Sequence, residues 1–100
     1  MKLLLITSIQ EYENDVKDIL RHSGVKSFSY QEVKGFKNEH NGSATNWFGL
    51  TDVPTESILF TVFIETNCID EIFELVEKFN AERTSLSKIH ISCIAVDKSI

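Results

Sequence analysis

The fold of this chain is decided by residues 57–65, SILFTVFIE. β-Branched and aromatic residues fill this run, and they favour a β-strand. Because side chains alternate along a strand, apolar residues point to both of its faces. Those on one side are Ile58, Phe60, Val62 and Ile64, and those on the other are Leu59 and Phe63. Apolar residues on both sides are typical of a strand that is covered on both faces.

Three further segments have the pattern of strands. Residues 2–8, KLLLITS, form a short apolar run without helical periodicity. Residues 25–34 and residues 88–96 alternate between apolar and polar side chains, as half-buried strands do. Together with residues 57–65, these segments predict a sheet of four strands.

Two segments have helical periodicity. Residues 11–22 place Tyr12, Val16, Ile19 and Leu20 on one face, and Gly24 is positioned to end that helix. A second apolar stripe consists of Ile69, Ile72, Phe73, Val76 and Phe79, and Asn67 is the expected N-cap of its helix. The resulting order βαββαβ predicts an α+β, ferredoxin-like fold in which two helices cover one face of an antiparallel four-stranded sheet.

The other face of this sheet is left open by the two helices. The first strand carries Leu3 and Leu5 on one side and Leu4 and Ile6 on the other, so it too is apolar on both sides. An exposed apolar face of this kind marks an interface. We therefore expect a homo-oligomer built on the open face, and the alternative is that the C-terminal tail folds over it.

Length and composition limit the class of protein. One hundred residues with 42% hydrophobic and 25% charged content are expected to form a single domain, residues 1–100. The net charge of −5 argues against nucleic-acid binding. No apolar run is long enough to span a bilayer, and the N-terminal run is too short for a signal peptide. These features predict a cytoplasmic protein in which Cys68 and Cys93 are free thiols.

Few residues are candidates for chemistry. His22, His40 and His90 have no metal-binding spacing, and His40, beside Glu39, is the best candidate for a metal ligand. His22 is expected at a helix C-terminus, where a cation is favourable. His90 should point away from the face that carries Ile89 and Ile91. No catalytic motif is recognisable, so we expect a protein that is not an enzyme.

Residues 24–36 carry a resemblance to a known family. Gly24 and Val25, followed at residues 28–36 by FSYQEVKGF, resemble the second strand of the PII signalling proteins, which often read GV…T-V-S-E-V-K-G-F at this point. The element order and the long segment directly after Gly35 and Phe36 also match that family. The close match covers about a dozen residues, and the match in layout covers nearly the whole chain.

The resemblance implies a homotrimer of ferredoxin-like subunits. In the PII family, clefts between subunits bind small effectors, usually adenine nucleotides, and a flexible T-loop then engages a target such as a membrane transporter or an enzyme. Carried over to this chain, the T-loop corresponds to residues 36–56, with Gly35 and Phe36 at its base. Lys88 would offer a cation to an anionic effector, assisted by Lys34. No cofactor is required by this interpretation.

Two features depart from the PII pattern. PII proteins hold ATP phosphates with the glycine-rich loop T-G-x-x-G-D-G-K, whereas residues 80–88 here read NAERTSLSK, without glycine. The arginines that PII proteins carry near the C-terminus are also missing. The chain therefore resembles a divergent PII-like protein, and PII-like proteins of this length are often associated with transport systems. A sensor linked to a transporter is the leading functional prediction.

Two alternatives remain open. The first is a divalent metal-binding trimer resembling the CutA ion-tolerance proteins, whose tryptophan-rich segment is echoed by Trp47 and Phe48. The second is a catalytic ferredoxin-like domain, such as an isomerase or monooxygenase, for which His90 is the best-placed residue. Within the PII-like interpretation, Trp47 and Phe48 are expected to be exposed contacts for a partner. If the loop folds back, they would instead fill the cleft between subunits.

Overall fold

The computed structural model describes residues 1–36 and 55–100. The strands are β1 (Lys2–Ile9), β2 (Ser29–Gly35), β3 (Thr55–Ile64) and β4 (His90–Ala95), and the helices are α1 (Glu13–His22) and α2 (Ile69–Ala81). A short 3₁₀ turn precedes each helix, at Gln10–Tyr12 and at Thr66–Cys68. The predicted order βαββαβ is confirmed.

The four strands form one sheet in the order β2-β3-β1-β4, and all neighbouring strands are antiparallel. β1 lies in the centre, where its Leu4 is opposite Val62 of β3 and Cys93 of β4. Each helix connects two strands that have a third strand between them. The fold is therefore the predicted ferredoxin-like α+β arrangement, with β2 and β4 at the two edges.

The core lies between one face of the sheet and both helices. Phe60 is its largest fully buried side chain. The other main contributors are Leu4 and Ile6 from β1, Ile58 and Val62 from β3, Val16 and Leu20 from α1, and Ile72 and Val76 from α2. Fully burying each large apolar side chain stabilises the fold by about 1.5–3 kcal/mol. The apolar stripes predicted for the two helices thus meet the face of β3 that carries Ile58, Phe60 and Val62.

Gly24 ends α1, as predicted. Its φ of 84° lies in the left-handed region that glycine adopts without strain. The main-chain N–H groups of Gly24 and Val25 donate to the carbonyls of Arg21 and Leu20 at 3.1 and 3.0 Å. Because Val25 is part of this helix ending, β2 does not begin at residue 25 as predicted but at Ser29, where pairing with Thr61 begins.

The predicted N-cap at Asn67 is wrong. The turn Thr66–Cys68 takes up the first residues of the helical segment, so that α2 begins at Ile69 and Cys68 occupies the cap position without a side-chain cap hydrogen bond. The boundary predicted for the T-loop-like segment 36–56 also shifts. Thr55 and Glu56 belong to β3, where they pair with Gly35 and Lys34.

Candidate functional site

One candidate region lies where β2 ends and β3 begins. Gly35 is buried and pairs with Thr55, and these two residues form the last pair of the ladder. Phe36 follows with 56% of its surface exposed. Lys34 Nζ lies 3.7 Å from Glu56 Oε1, and both side chains are mostly exposed, so this ion pair contributes little to stability. The predicted site residues Lys34, Gly35 and Phe36 therefore share one edge of the sheet.

Lys88 lies at the C-terminal end of α2. Its Nζ donates hydrogen bonds to the main-chain carbonyls of Asn80, at 2.9 Å, and of Arg83, at 3.1 Å. An ammonium at this position complements the negative end of the helix dipole, and it shares the carbonyl of Asn80 with the N–H of Arg83, which donates to it at 3.2 Å. Since a lysine ammonium has three N–H donors, one donor remains for an anion.

Asn80 fixes the main chain next to Lys88. Its amide Nδ2 donates to the carbonyl of Ile89 at 2.8 Å, and its Oδ1 accepts from the N–H of Ile89, also at 2.8 Å. This pair of hydrogen bonds ties the start of β4 to the last turn of α2. Sequence reasoning did not find Asn80, because no local pattern marks a side chain that pairs with a residue nine positions away.

Arg83 adds a second cation to this end of α2. Its guanidinium lies 3.9 Å from the centre of the Phe79 ring, a cation–π contact that restricts its position. The Phe79 ring meets the Tyr12 ring edge-on at 5.0 Å, and the Tyr12 hydroxyl donates to the carbonyl of Ser87 at 3.3 Å. Residues 82–88 are thus held by side chains from α2 and from the 3₁₀ turn before α1. Sequence reasoning also missed Arg83.

Lys88 and Gly35 lie at the same end of the sheet but at opposite edges. Ser57 pairs with Ile9, and Thr7 pairs with His90, so β2 ends and β4 begins at the same end of β1. With roughly 4.8 Å between neighbouring strands, the two edge strands are about 14 Å apart. The predicted site residues of a single copy therefore do not converge on one small ligand.

The face of the sheet opposite the helices, here named the outer face, carries no Asp, Glu, Lys or Arg within the four described strands. By strand, its residues are Leu3, Leu5, Thr7 and Ile9; Ser29, Gln31, Val33 and Gly35; Thr55, Ser57, Leu59, Thr61 and Phe63; and His90, Ser92 and Ile94. At one end of this face, Leu3 lies between Phe63 and Ile94, which are 56% and 43% exposed. Apolar residues on both faces of the central strands are thus confirmed.

His90 lies on the outer face, as predicted from its alternation with Ile89 and Ile91. Its Nε2 is 3.2 Å from Ser92 Oγ. Burial lowers the pKa of His90 from its ordinary value of 6.5, because removal from water disfavours the charged imidazolium.

The described residues do not bring metal ligands together. Within residues 1–36 and 55–100, no group of three or more His, Cys, Asp or Glu side chains could hold a metal ion. His22 is exposed in the last turn of α1, and both cysteines are free thiols. The predicted metal ligand His40 and the predicted partner contacts Trp47 and Phe48 lie outside the described residues.

Comparison with known proteins gives structural neighbours only. No protein-family model and no curated protein matches this sequence. Among solved structures, CPII, a nitrogen regulatory PII-like protein from Thiomonas intermedia K12, bound to ADP, AMP and bicarbonate, matches with a TM-score of 0.64 and 15% identity. The match covers 99% of this chain and 94% of that one.

Two further structures of CPII match this chain to a similar extent. The form bound to ADP, AMP and acetate matches with a TM-score of 0.65 and 16% identity over 97% of this chain and 88% of that one. The apo form has a TM-score of 0.64 and 14% identity, over 95% and 89% of the two chains. The chain therefore has the fold of PII-like proteins, and the resemblance found in residues 24–36 is confirmed at the level of the fold. None of the helices among the described residues is long and apolar enough to cross a membrane.

Proposed function

We propose that this chain is a PII-like regulatory protein that binds an adenine nucleotide between the subunits of a homotrimer. Nucleotide binding would control a protein partner, which we propose is a membrane transporter, through the segment between β2 and β3. The observation that carries this proposal is the match of nearly the whole chain to structures of a PII-like protein that contain ADP and AMP.

The positions of the predicted site residues support a site between copies. Gly35 and Phe36 lie at the β2 edge and Lys88 at the β4 edge, about 14 Å apart in one copy. A second copy that places its β4 edge beside the β2 edge of the first would bring the two sets together. A closed ring of three copies repeats this contact and leaves no unused edge.

The chemistry at these edges suits a nucleotide. Phe36 offers an exposed ring for an adenine base, since aromatic rings stack on flat heterocycles. Lys88 and Arg83 offer cations for phosphate, and the contacts of both side chains restrict where these cations lie. Because residues 80–88 contain no glycine, phosphate recognition would rest on side chains rather than on close main-chain approach.

Calorimetry of the purified chain with AMP, ADP, ATP, cyclic nucleotides, Zn²⁺ and Cu²⁺ tests this proposal. We expect micromolar binding of an adenine nucleotide, weakened about tenfold or more by Lys88→Met, which keeps most of the side-chain length but removes the charge. Lys78→Met is the matched control, because Lys78 is an exposed lysine in the last turn of α2. Absence of nucleotide binding in the unchanged chain would reject the proposal.

The metal arm of the same experiment tests the CutA-like alternative. Metal binding that is lost in His40→Ala, together with the absence of nucleotide binding, would favour a metal-binding trimer.

The role of Trp47 and Phe48 is tested by replacing both with alanine. If they contact a partner, the double variant should lose partner binding and keep its nucleotide affinity.

A further inference from the structure

The two cations at the end of α2 are both engaged by the chain itself. Lys88 Nζ donates to the carbonyls of Asn80 and Arg83, and the Arg83 guanidinium lies over the Phe79 ring. These contacts limit the donors that remain for a ligand. We infer that this end of α2 takes a single phosphate group, so that the chain prefers AMP to ATP, and that Arg83 determines this preference. The inference rests on the proposed nucleotide site.

Lys88 has one donor left for a ligand. Its ammonium has three N–H groups, and two of them donate within the chain, at 2.9 and 3.1 Å. The ammonium also lies at the negative end of the α2 dipole, which favours its present position. Asn80 binds both main-chain groups of Ile89, so the chain directly after Lys88 is held as well. While it stays on the helix, Lys88 therefore contributes one hydrogen bond to a phosphate.

Arg83 has more donors left, and they lie in one plane. Because its guanidinium carbon is 3.9 Å from the centre of the Phe79 ring, the flat side of the group makes this contact. The N–H donors project from the edge of the group, and such an edge binds two oxygens of one phosphate. Arg83 and Lys88 together thus provide the hydrogen bonds for one phosphate group.

Phe79 and Tyr12 are positioning residues for Arg83. Phe79 belongs to the core and is only 8% exposed, so its ring cannot follow a moving guanidinium. The Tyr12 ring meets it edge-on at 5.0 Å, and the Tyr12 hydroxyl donates to the carbonyl of Ser87 at 3.3 Å. The segment between Arg83 and Lys88 is thereby held near both of its ends. Arg83 cannot move out to a second or third phosphate without losing its contact with Phe79.

The charges around this end of α2 oppose a longer phosphate chain. Residues 77–88 contain three Lys and Arg residues and two Glu residues, a net charge of +1, and the whole chain carries −5. The last carbonyls of α2 add partial negative charge. Among the cations of residues 77–88, only Arg83 and Lys88 are held in place by contacts. Each further phosphate would therefore add negative charge without a further positioned cation.

The β2 edge that a neighbouring copy would bring does not alter this balance. Lys34 is the only cation of β2, and its Nζ lies 3.7 Å from Glu56 Oε1, so a carboxylate already accompanies it. Phe36 offers an exposed ring, which suits a base rather than a phosphate. Among the described residues of the two edges, recognition of the phosphate thus depends on Arg83 and Lys88.

Calorimetry of the full chain with adenosine, AMP, ADP and ATP tests the inference. We expect AMP to bind about tenfold more tightly than either adenosine or ATP, the difference that one charge-assisted hydrogen bond makes, with ADP between AMP and ATP. Arg83→Met removes the charge and should lower the affinity for AMP to that for adenosine. Arg21→Met is the matched control, because Arg21 lies in the last turn of α1, where it pairs with Asp18. It should bind AMP like the unchanged chain.

Two further variants test how Arg83 is positioned. Phe79→Leu removes the ring beneath the guanidinium but keeps an apolar side chain in the core, and circular dichroism shows whether it is folded. It should lose most of the preference for AMP over adenosine while its affinity for adenosine is unchanged, whereas a general loss of structure would lower both affinities. Arg83→Lys makes the same test at the surface, since lysine keeps the charge but lacks the planar edge. A preference for AMP that survives in both variants would overturn the role of this contact.

The inference and the proposed function fail separately. Tightest binding of ATP, or an unchanged affinity of Arg83→Met for AMP, would overturn the inference and leave the proposed nucleotide sensor standing. Absence of binding to all four compounds would reject the proposed function and the inference with it.

Discussion

Replacement of Asn80 by alanine is the most direct test of how the end of α2 is held. The change removes both hydrogen bonds between the Asn80 side chain and the main chain of Ile89, each 2.8 Å long. A typical hydrogen bond contributes about 1 kcal/mol net, and a buried polar group left without a partner costs about 1–3 kcal/mol. Ile89 is only 3% exposed, so water replaces these partners incompletely. We expect the free energy of unfolding to fall by about 2–3 kcal/mol.

Urea denaturation at one fixed protomer concentration measures this loss, because association makes apparent stability depend on concentration. The expected change corresponds to about 10–20 °C in Tm for a domain of this size. Asn80→Asp should also be destabilised, because its carboxylate can accept from the N–H of Ile89 but cannot donate to the carbonyl of Ile89.

Asn67→Ala is the matched control. Asn67 is exposed in the turn before α2, where no side-chain cap hydrogen bond forms, so its loss should cost less than about 0.5 kcal/mol. Equal effects of Asn67→Ala and Asn80→Ala, or a loss below about 1 kcal/mol for Asn80→Ala, would refute the reasoning about the Ile89 hydrogen bonds.

Three further predictions concern single sites. Gly24→Ala should lower the free energy of unfolding by about 1 kcal/mol, because Gly24 has a φ of 84°. Gly24→Asn should lower it less, since asparagine tolerates the left-handed region, and equal losses of the two variants in thermal denaturation would contradict this account. Ile58→Val removes one methylene from a fully buried side chain and should lower the free energy of unfolding, measured by urea denaturation, by about 0.5–1.5 kcal/mol. Removal of one methylene from an exposed side chain should have a negligible effect. Lys17 Nζ lies 2.7 Å from Glu13 and 4.3 Å from the centre of the Tyr30 ring, and its pKa is raised chiefly by the hydrogen bond to Glu13. Lys17→Met should nevertheless leave the midpoint of urea denaturation nearly unchanged, because the pair is near the surface, and a clear fall in that midpoint would argue against solvent screening there.

The element order was predictable because its signals are local. The two-fold alternation of residues 57–65 and the helical stripe ending before Gly24 are each contained in about a dozen residues, and the structure confirms both. The errors lie at element boundaries. Ser29 begins β2 because pairing with Thr61 begins there, and a strand partner far along the chain is invisible to a local pattern.

The candidate site was predictable only in part. The resemblance to the PII family led to Gly35, Phe36 and Lys88, but it carried no information about their contacts. The hydrogen bonds of Lys88 to the carbonyls of Asn80 and Arg83 arise because α2 ends where β4 begins. Such contacts depend on the packing of one element against another.

The sequence by itself determined the type and order of the elements, because hydrophobic periodicity along a segment fixes which of its sides is buried. It also determined that His90 and Ile91 face opposite sides of their strand, since successive side chains of a strand alternate. Only the tertiary structure decided which sides of different strands share a face. Register between β1, β3 and β4 brings Leu3, Phe63 and Ile94 into one row. The uncharged outer face thus exists only once strands distant in sequence have paired.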